Sequence, residues 1–291
     1  GWHDWYISAN ISNNKNLKGH LMDGFFTSGV PDKLKNTSFA FEFNKINSLK
    51  KILFKEKDIG VVKIEVFRNH EPNKEFLREI RSICDKKNIV LIFDECTSGF
   101  RETFGGLHLK YGVEPDMAMF GKALGNGYAM TATIGRRDVM ESAQSTFISS
   151  TFWTERIGPT AALKTLQIME RERSWEQVTI KGLELRRRWQ ELADRHRLSI
   201  RHTGLPALAC FTFESTRALE YKTLITQEML KKGYLASTSC YTSLAHTPEV
   251  ISTYLENLDD VFALIGECES GRCVDELLEG PICHNGFKRL N

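Results

Sequence analysis

Two polar side chains stand where apolar runs of strand length stop. Val90-Leu-Ile-Phe ends at Asp94, and Met117-Ala-Met-Phe ends at Gly121-Lys122, where the chain enters Ala-Leu-Gly-Asn-Gly127. Apolar runs of four or five residues, bounded by polar and glycine signals, read as strands buried on both faces, as in a parallel sheet. Ligands of open α/β sheets lie beyond the carboxyl ends of such strands. A carboxylate and an amine are therefore expected where one bound molecule would lie, one crossover unit apart. That is the pair a pyridoxal phosphate (PLP) site requires. Taken alone, a Gly-Lys at a strand end is usually a solvated lysine. Asp94 alone would equally suit the cap of a following turn.

The elements that must position the pair follow a strand, helix, strand, loop, strand rhythm. Residues 61–66 read as a strand. Residues 72–87 read as an amphipathic helix with Phe76, Leu77, Ile80, Ile83 and Cys84 on its apolar face. Residues 90–94, 117–120 and 131–135 complete the strands, and together they predict an α/β sheet. Before them, residues 8–40 read as an irregular excursion, 39–43 as a short strand and 46–54 as a helix. After a polar-aromatic turn at 149–153, a helix is expected over 158–172, with Pro159 in its first turn. The composition then shifts. A charged helix at 175–195, a strand at 208–213, a helix at 217–232 stopped by Gly233, and a helix at 251–268 describe a smaller α+β domain beginning near Arg173.

Bulk properties exclude several classes. With 39 basic and 37 acidic residues the net charge is +2, which gives no reason to expect nucleic acid or an anionic membrane as partner. No apolar run approaches a membrane span and no signal-peptide pattern opens the chain. Seven scattered cysteines suit reduced thiols and a cytoplasmic location better than a disulfide framework. Cys268, Cys273, Cys283 and His284 do not have the spacing of a paired zinc motif, so no metal is expected. Gly125-Asn-Gly127 lacks the third glycine of a dinucleotide fingerprint. The opening Gly1-Trp-His-Asp-Trp-Tyr-Ile, with aromatic residues and no initiator methionine, reads as a cut inside a longer protein.

Several linked segments also resemble the class III aminotransferases, and within them the glutamate-1-semialdehyde aminomutase group. These are Leu91-Ile-Phe-Asp94-Glu-Cys96-Thr-Ser-Gly-Phe-Arg101, Gly112-Val-Glu-Pro-Asp116-Met, Gly121-Lys122-Ala-Leu-Gly-Asn-Gly127 and Ser150-Thr151-Phe. The opening Gly-Trp-His-Asp-Trp-Tyr and closing Gly286-Phe-Lys-Arg-Leu290 are similar to family segments too. The resemblance implies an α/β fold of PLP fold type I, a mostly parallel sheet covered by helices, plus the smaller C-terminal α+β domain. Residues 1–152 would be the later part of the large cofactor-binding domain, 153–173 a connecting helix and 174–291 the small domain.

The resemblance assigns roles residue by residue. Lys122 would form the Schiff base with PLP and, when released, act as general base. Asp94 would partner the pyridine nitrogen. Thr151 would reach the cofactor phosphate of the neighbouring subunit, which implies a homodimer. Cys96 stands where the family usually has a valine packed on the ring, and a thiol of similar size can pack there. Glu65 ends a strand usually written Glu-Pro; Val66 follows it here, so its role is open. The phosphate-cradling turn and the ring-stacking aromatic belong, in the family, to a region preceding this chain. The implied activity is transfer of an amino group between a small amine or amino acid and an oxo compound. An aminomutase, which moves the amine within one semialdehyde, is the alternative. A third reading is a piece that cannot bind PLP by itself.

Overall fold

A computed structural model describes residues 4–18, 26–149 and 151–284. The expected segments at residues 1–3, Ser150 and residues 286–290 lie outside the described residues. Two compact units divide the chain, one from residues 1–59 with 283–291 and one from Gly60–Ile282.

In the first unit the helix Ile46–Lys55 forms as its apolar spacing predicts, with Leu49 and Leu53 buried. Residues 39–43 do not form the expected strand. Alternating hydrophobicity yields a strand only where a neighbour offers ladder hydrogen bonds, and among the described residues no strand runs alongside this segment.

The second unit carries two sheets. The first runs β1 (Val61–Glu65), β2 (Val90–Asp94), β3 (Met117–Phe120) and β4 (Ala132–Gly135) in that spatial order. The first three strands are parallel and β4 is antiparallel to β3. Register sets Glu65 beside Asp94 and Asp94 beside Met119. One face is dry, with Val62, Ile64, Leu91, Phe93, Ala118 and Phe120 buried. On the other face Val61 is 52% exposed. The helix Lys74–Lys87 crosses from β1 to β2. Asn73 caps it, its side chain accepting from the Glu75 N–H at 3.0 Å, and Asn88 ends it in the left-handed region. Phe76, Leu77, Ile80 and Cys84 are its buried stripe.

Asp116 locks the strands together. Its Oδ2 accepts from the Leu91 N–H at 2.6 Å and from Arg81 at 3.0 Å, and Arg136 lies 3.2 Å from its Oδ1. The second sheet is antiparallel, β5 (Ile200–Thr203), β6 (Leu208–Phe213) and β7 (Ser239–Tyr241), packed against the helices Ser174–Arg195, Ala218–Lys231 and Pro248–Glu269. No helix among the described residues is long and apolar enough to cross a membrane.

Candidate active site

The carboxyl ends of β1, β2 and β3 bring Glu65, Asp94 and Lys122 to one rim of the first sheet. Lys122 opens the short 3-10 turn Lys122–Leu124, anchored by the buried Ala123 and Leu124. Its backbone has φ +45°. A lysine in the left-handed region costs on the order of 1–2 kcal/mol, a strain that clusters at functional sites. The turn behind it requires glycine at Gly127, where φ is +102°. The Lys122 side chain is exposed, and its Nζ donates to Thr97 Oγ1 at 2.5 Å.

Thr97 can serve as that anchor because the loop after β2 is rigid. Glu95 is fully buried, its N–H donating to the Met119 carbonyl at 2.8 Å. Its Oε1 accepts from the His108 N–H at 2.9 Å and faces His108 Nδ1 at 2.9 Å, while Oε2 accepts from Ser98 Oγ. A buried carboxylate with every oxygen partnered fixes the loop that carries Cys96 and Thr97. Gly99 has no room for a side chain: a Cβ there would meet the Glu95 carbonyl oxygen and the Phe120 ring at 2.8 Å.

Asp94 is 15% exposed at its side chain. Its Oδ2 lies 3.0 Å from Lys63 Nζ, and its Oδ1 accepts from the Cys96 N–H at 3.1 Å. The backbone bond is the turn-capping role that the sequence allowed for; the ion pair adds to it. Burial disfavours the charged carboxyl, but the Lys63 ammonium and the Cys96 N–H outweigh it and hold Asp94 below the ordinary aspartate range. Burial and the neighbouring Asp94 charge raise the Cys96 thiol, and Lys122 opposes them. Cys96 therefore sits within the fields of both Asp94 and Lys122 and stays a neutral thiol. Its Sγ lies 3.5 Å from where a Cβ on Gly121 would stand, so it lines the floor between the two strand ends. Glu65 is paired with Arg68 at 2.9 Å.

Thr151 is exposed in a turn, and no hydrogen bond among the described residues joins it to Asp94 or Lys122. Around it Phe147 is 96% exposed and Trp153 70%. Two partners escaped the sequence reading. Thr97 lies inside a quoted motif, and its place three residues after the strand-ending Asp94 was the only clue. Lys63 carried a clearer one, since the period of two puts it on the face of Glu65 and Asp94.

A family model described as aminotransferase class-III matches residues 68–265. The chain is 31% identical over 271 residues to a 3-aminobutyryl-CoA aminotransferase of Cloacimonas acidaminovorans, covering 86% of this chain and 61% of that protein. It is 27% identical to a glutamate-1-semialdehyde 2,1-aminomutase of Methanocaldococcus jannaschii, covering 90% and 65%. The FumI protein of Sphingopyxis sp. MTA144, solved in its PLP internal aldimine form, superposes with TM-score 0.78 at 22% identity, over 94% of this chain and 72% of that one. The shared fold is the α/β arrangement of fold type I. The chain spans about three fifths of the length of the curated relatives it matches.

Proposed function

This chain belongs to the class-III aminotransferase family, and from that premise we propose that it carries the lysine and the ring-binding carboxylate of a PLP-dependent amino-transfer site. The residues present fit that group. An exposed amine and an ionised, nearly buried carboxylate end adjacent strands, with a small apolar floor at Cys96 between them. Bound PLP supplies an aldehyde that takes up amines and a ring that accepts electrons.

Lys122 Nζ would be the amine that holds the cofactor's aldehyde, and when free it would be the base placed to take up a proton from the substrate and give it back at the carbon that is protonated next. Thr97 Oγ1 accepts from that nitrogen and restricts where the side chain can point. Asp94 would hold the cofactor's ring nitrogen, and a charge-assisted hydrogen bond of that kind, worth about 1.5–3 kcal/mol, would favour its protonated form. Cys96 would offer the ring a small apolar side chain to pack against. Glu65, already neutralised by Arg68, borders the carboxylate and shapes the local field.

Thr151 serves the phosphate of a second copy's site in a homodimer; the exposed aromatic residues around it support such an assembly. In this reading residues 1–152 are the later part of the large domain, 153–173 a connecting helix and 174–291 the small domain, and the enzyme works in the cytoplasm. The substrates are a small amine or amino acid as donor and an oxo compound as acceptor.

The observation that carries the reading is Lys122, held at φ +45° just past the end of β3, next to the strand that ends at an ionised Asp94. Adding PLP should produce the absorbance band of protein-bound cofactor, and Lys122→Ala should abolish it. An unchanged band in the variant overturns the assignment. Similarity to glutamate-1-semialdehyde 2,1-aminomutases favours one alternative, intramolecular transfer of the amine. Turnover of a semialdehyde with no added donor would select it; a strict need for a separate donor would reject it.

A further inference from the structure

Lys63 lies outside the attachment chemistry, yet it holds the closest charge to Asp94. It stands on β1, in register with Ile92 of β2, so it is a diagonal neighbour of Asp94 on one sheet face. The long side chain crosses the strand spacing and sets Nζ 3.0 Å from Asp94 Oδ2. The groups facing Asp94 are few. From β1 come Lys63 and Glu65, the latter tied to Arg68; from the loop after β2 comes Cys96; and Lys122 stands beyond β3. Glu65 is in register with Asp94, so without Lys63 two acidic residues would end adjacent strands whose backbones run about 4.8 Å apart.

We propose that Lys63 is a positioning residue of this site. Its ammonium keeps the Asp94 carboxylate charged and aimed, and leaves Asp94 a weaker partner for a cofactor's ring nitrogen than an unshared carboxylate would be. Both effects have one cause. A cation beside an anion opposes protonation of that anion and reduces its pull on any second cation. The depressed ionisation of Asp94 agrees with the first effect. The second rests on the PLP reading above, and makes the electron demand of the ring a quantity that β1 adjusts.

The test begins with the protein lacking cofactor. Carboxyl-carbon NMR should show Asp94 titrating at higher pH in Lys63→Met than in the wild type, with Lys63→Arg restoring the wild-type midpoint. Raising salt should move the wild-type midpoint upward, because the Lys63 side chain is 39% exposed and the pair is partly screened. An Asp94 midpoint identical in wild type and Lys63→Met refutes the proposal. Should that variant fail to fold, a wild-type midpoint indifferent to salt refutes it equally. With PLP added, ring-nitrogen NMR should find the nitrogen protonated to higher pH in Lys63→Met than in wild type; equal behaviour removes the cofactor half. Because the first titration needs no PLP, its failure is distinct from failure of the attachment at Lys122.

Discussion

The two sheets of the second unit solve opposite problems. The C-terminal sheet closes its own core. Trp189, Phe211, Phe213, Tyr221 and Phe262 are buried and meet mostly edge to face, with Trp189 Nε1 donating to Tyr254 Oη at 3.1 Å. The first sheet buries one face and leaves the other partly open, and the aromatic residues of 147–153 stand in solvent. In the C-terminal sheet the strand side chains buried in its core are apolar, Ile200, Ala209, Phe211 and Phe213 among them. In the first sheet polar groups gather at the strand ends as Glu65, Asp94 and Lys122, and there the backbone is strained. One region supplies stability with little chemistry. On the proposed reading the other supplies chemistry at the expense of stability, as expected for functional sites.

Three substitutions would break or sharpen that contrast. The largest effect belongs to the closed core. Trp189→Ala should cost about 3–5 kcal/mol, read as a lower urea midpoint, because the surrounding aromatic residues cannot collapse into the space. A cost below about 1 kcal/mol would show that the core is not the main source of stability. At the strained turn the sign reverses. Lys122→Gly should raise stability by up to about 1 kcal/mol, since glycine adopts φ +45° without the Cβ penalty that lysine carries. Destabilisation there would mean that the turn is comfortable and its geometry carries no functional signal. The smallest effect is at the open surface. Trp153→Ala should change the stability of the separated chain by no more than about 0.5 kcal/mol, while weakening self-association in sedimentation. A large stability loss with unchanged sedimentation would place Trp153 in a core instead.

The sequence was legible wherever periodicity and polarity changed together. Apolar runs stopping at Asp94 and Gly121-Lys122 marked two strand ends, and the stripe from Phe76 to Cys84 marked the covering helix, because burial on a sheet demands those patterns. β5 and β7 were missed: Ile200–Thr203 carries arginine and histidine in its middle, and Ser239–Tyr241 has only three residues. Their strand character comes from pairing with β6, which no local pattern announces. The segment at 39–43 failed in the opposite direction, with pattern but no neighbouring strand among the described residues. Within the site, Asp94 and Lys122 were readable as ends of runs. Lys63 and Thr97 were not, because their importance lies in contacts across strands.

The most direct test of the whole account is where PLP attaches. After incubation with PLP and reduction with borohydride, peptide mapping should find the label on Lys122 and essentially nowhere else. A label on Lys63, the other amine at this rim, or one scattered over surface lysines with Lys122 unmodified, would contradict the assignment of the strained lysine at the end of β3 as the working amine.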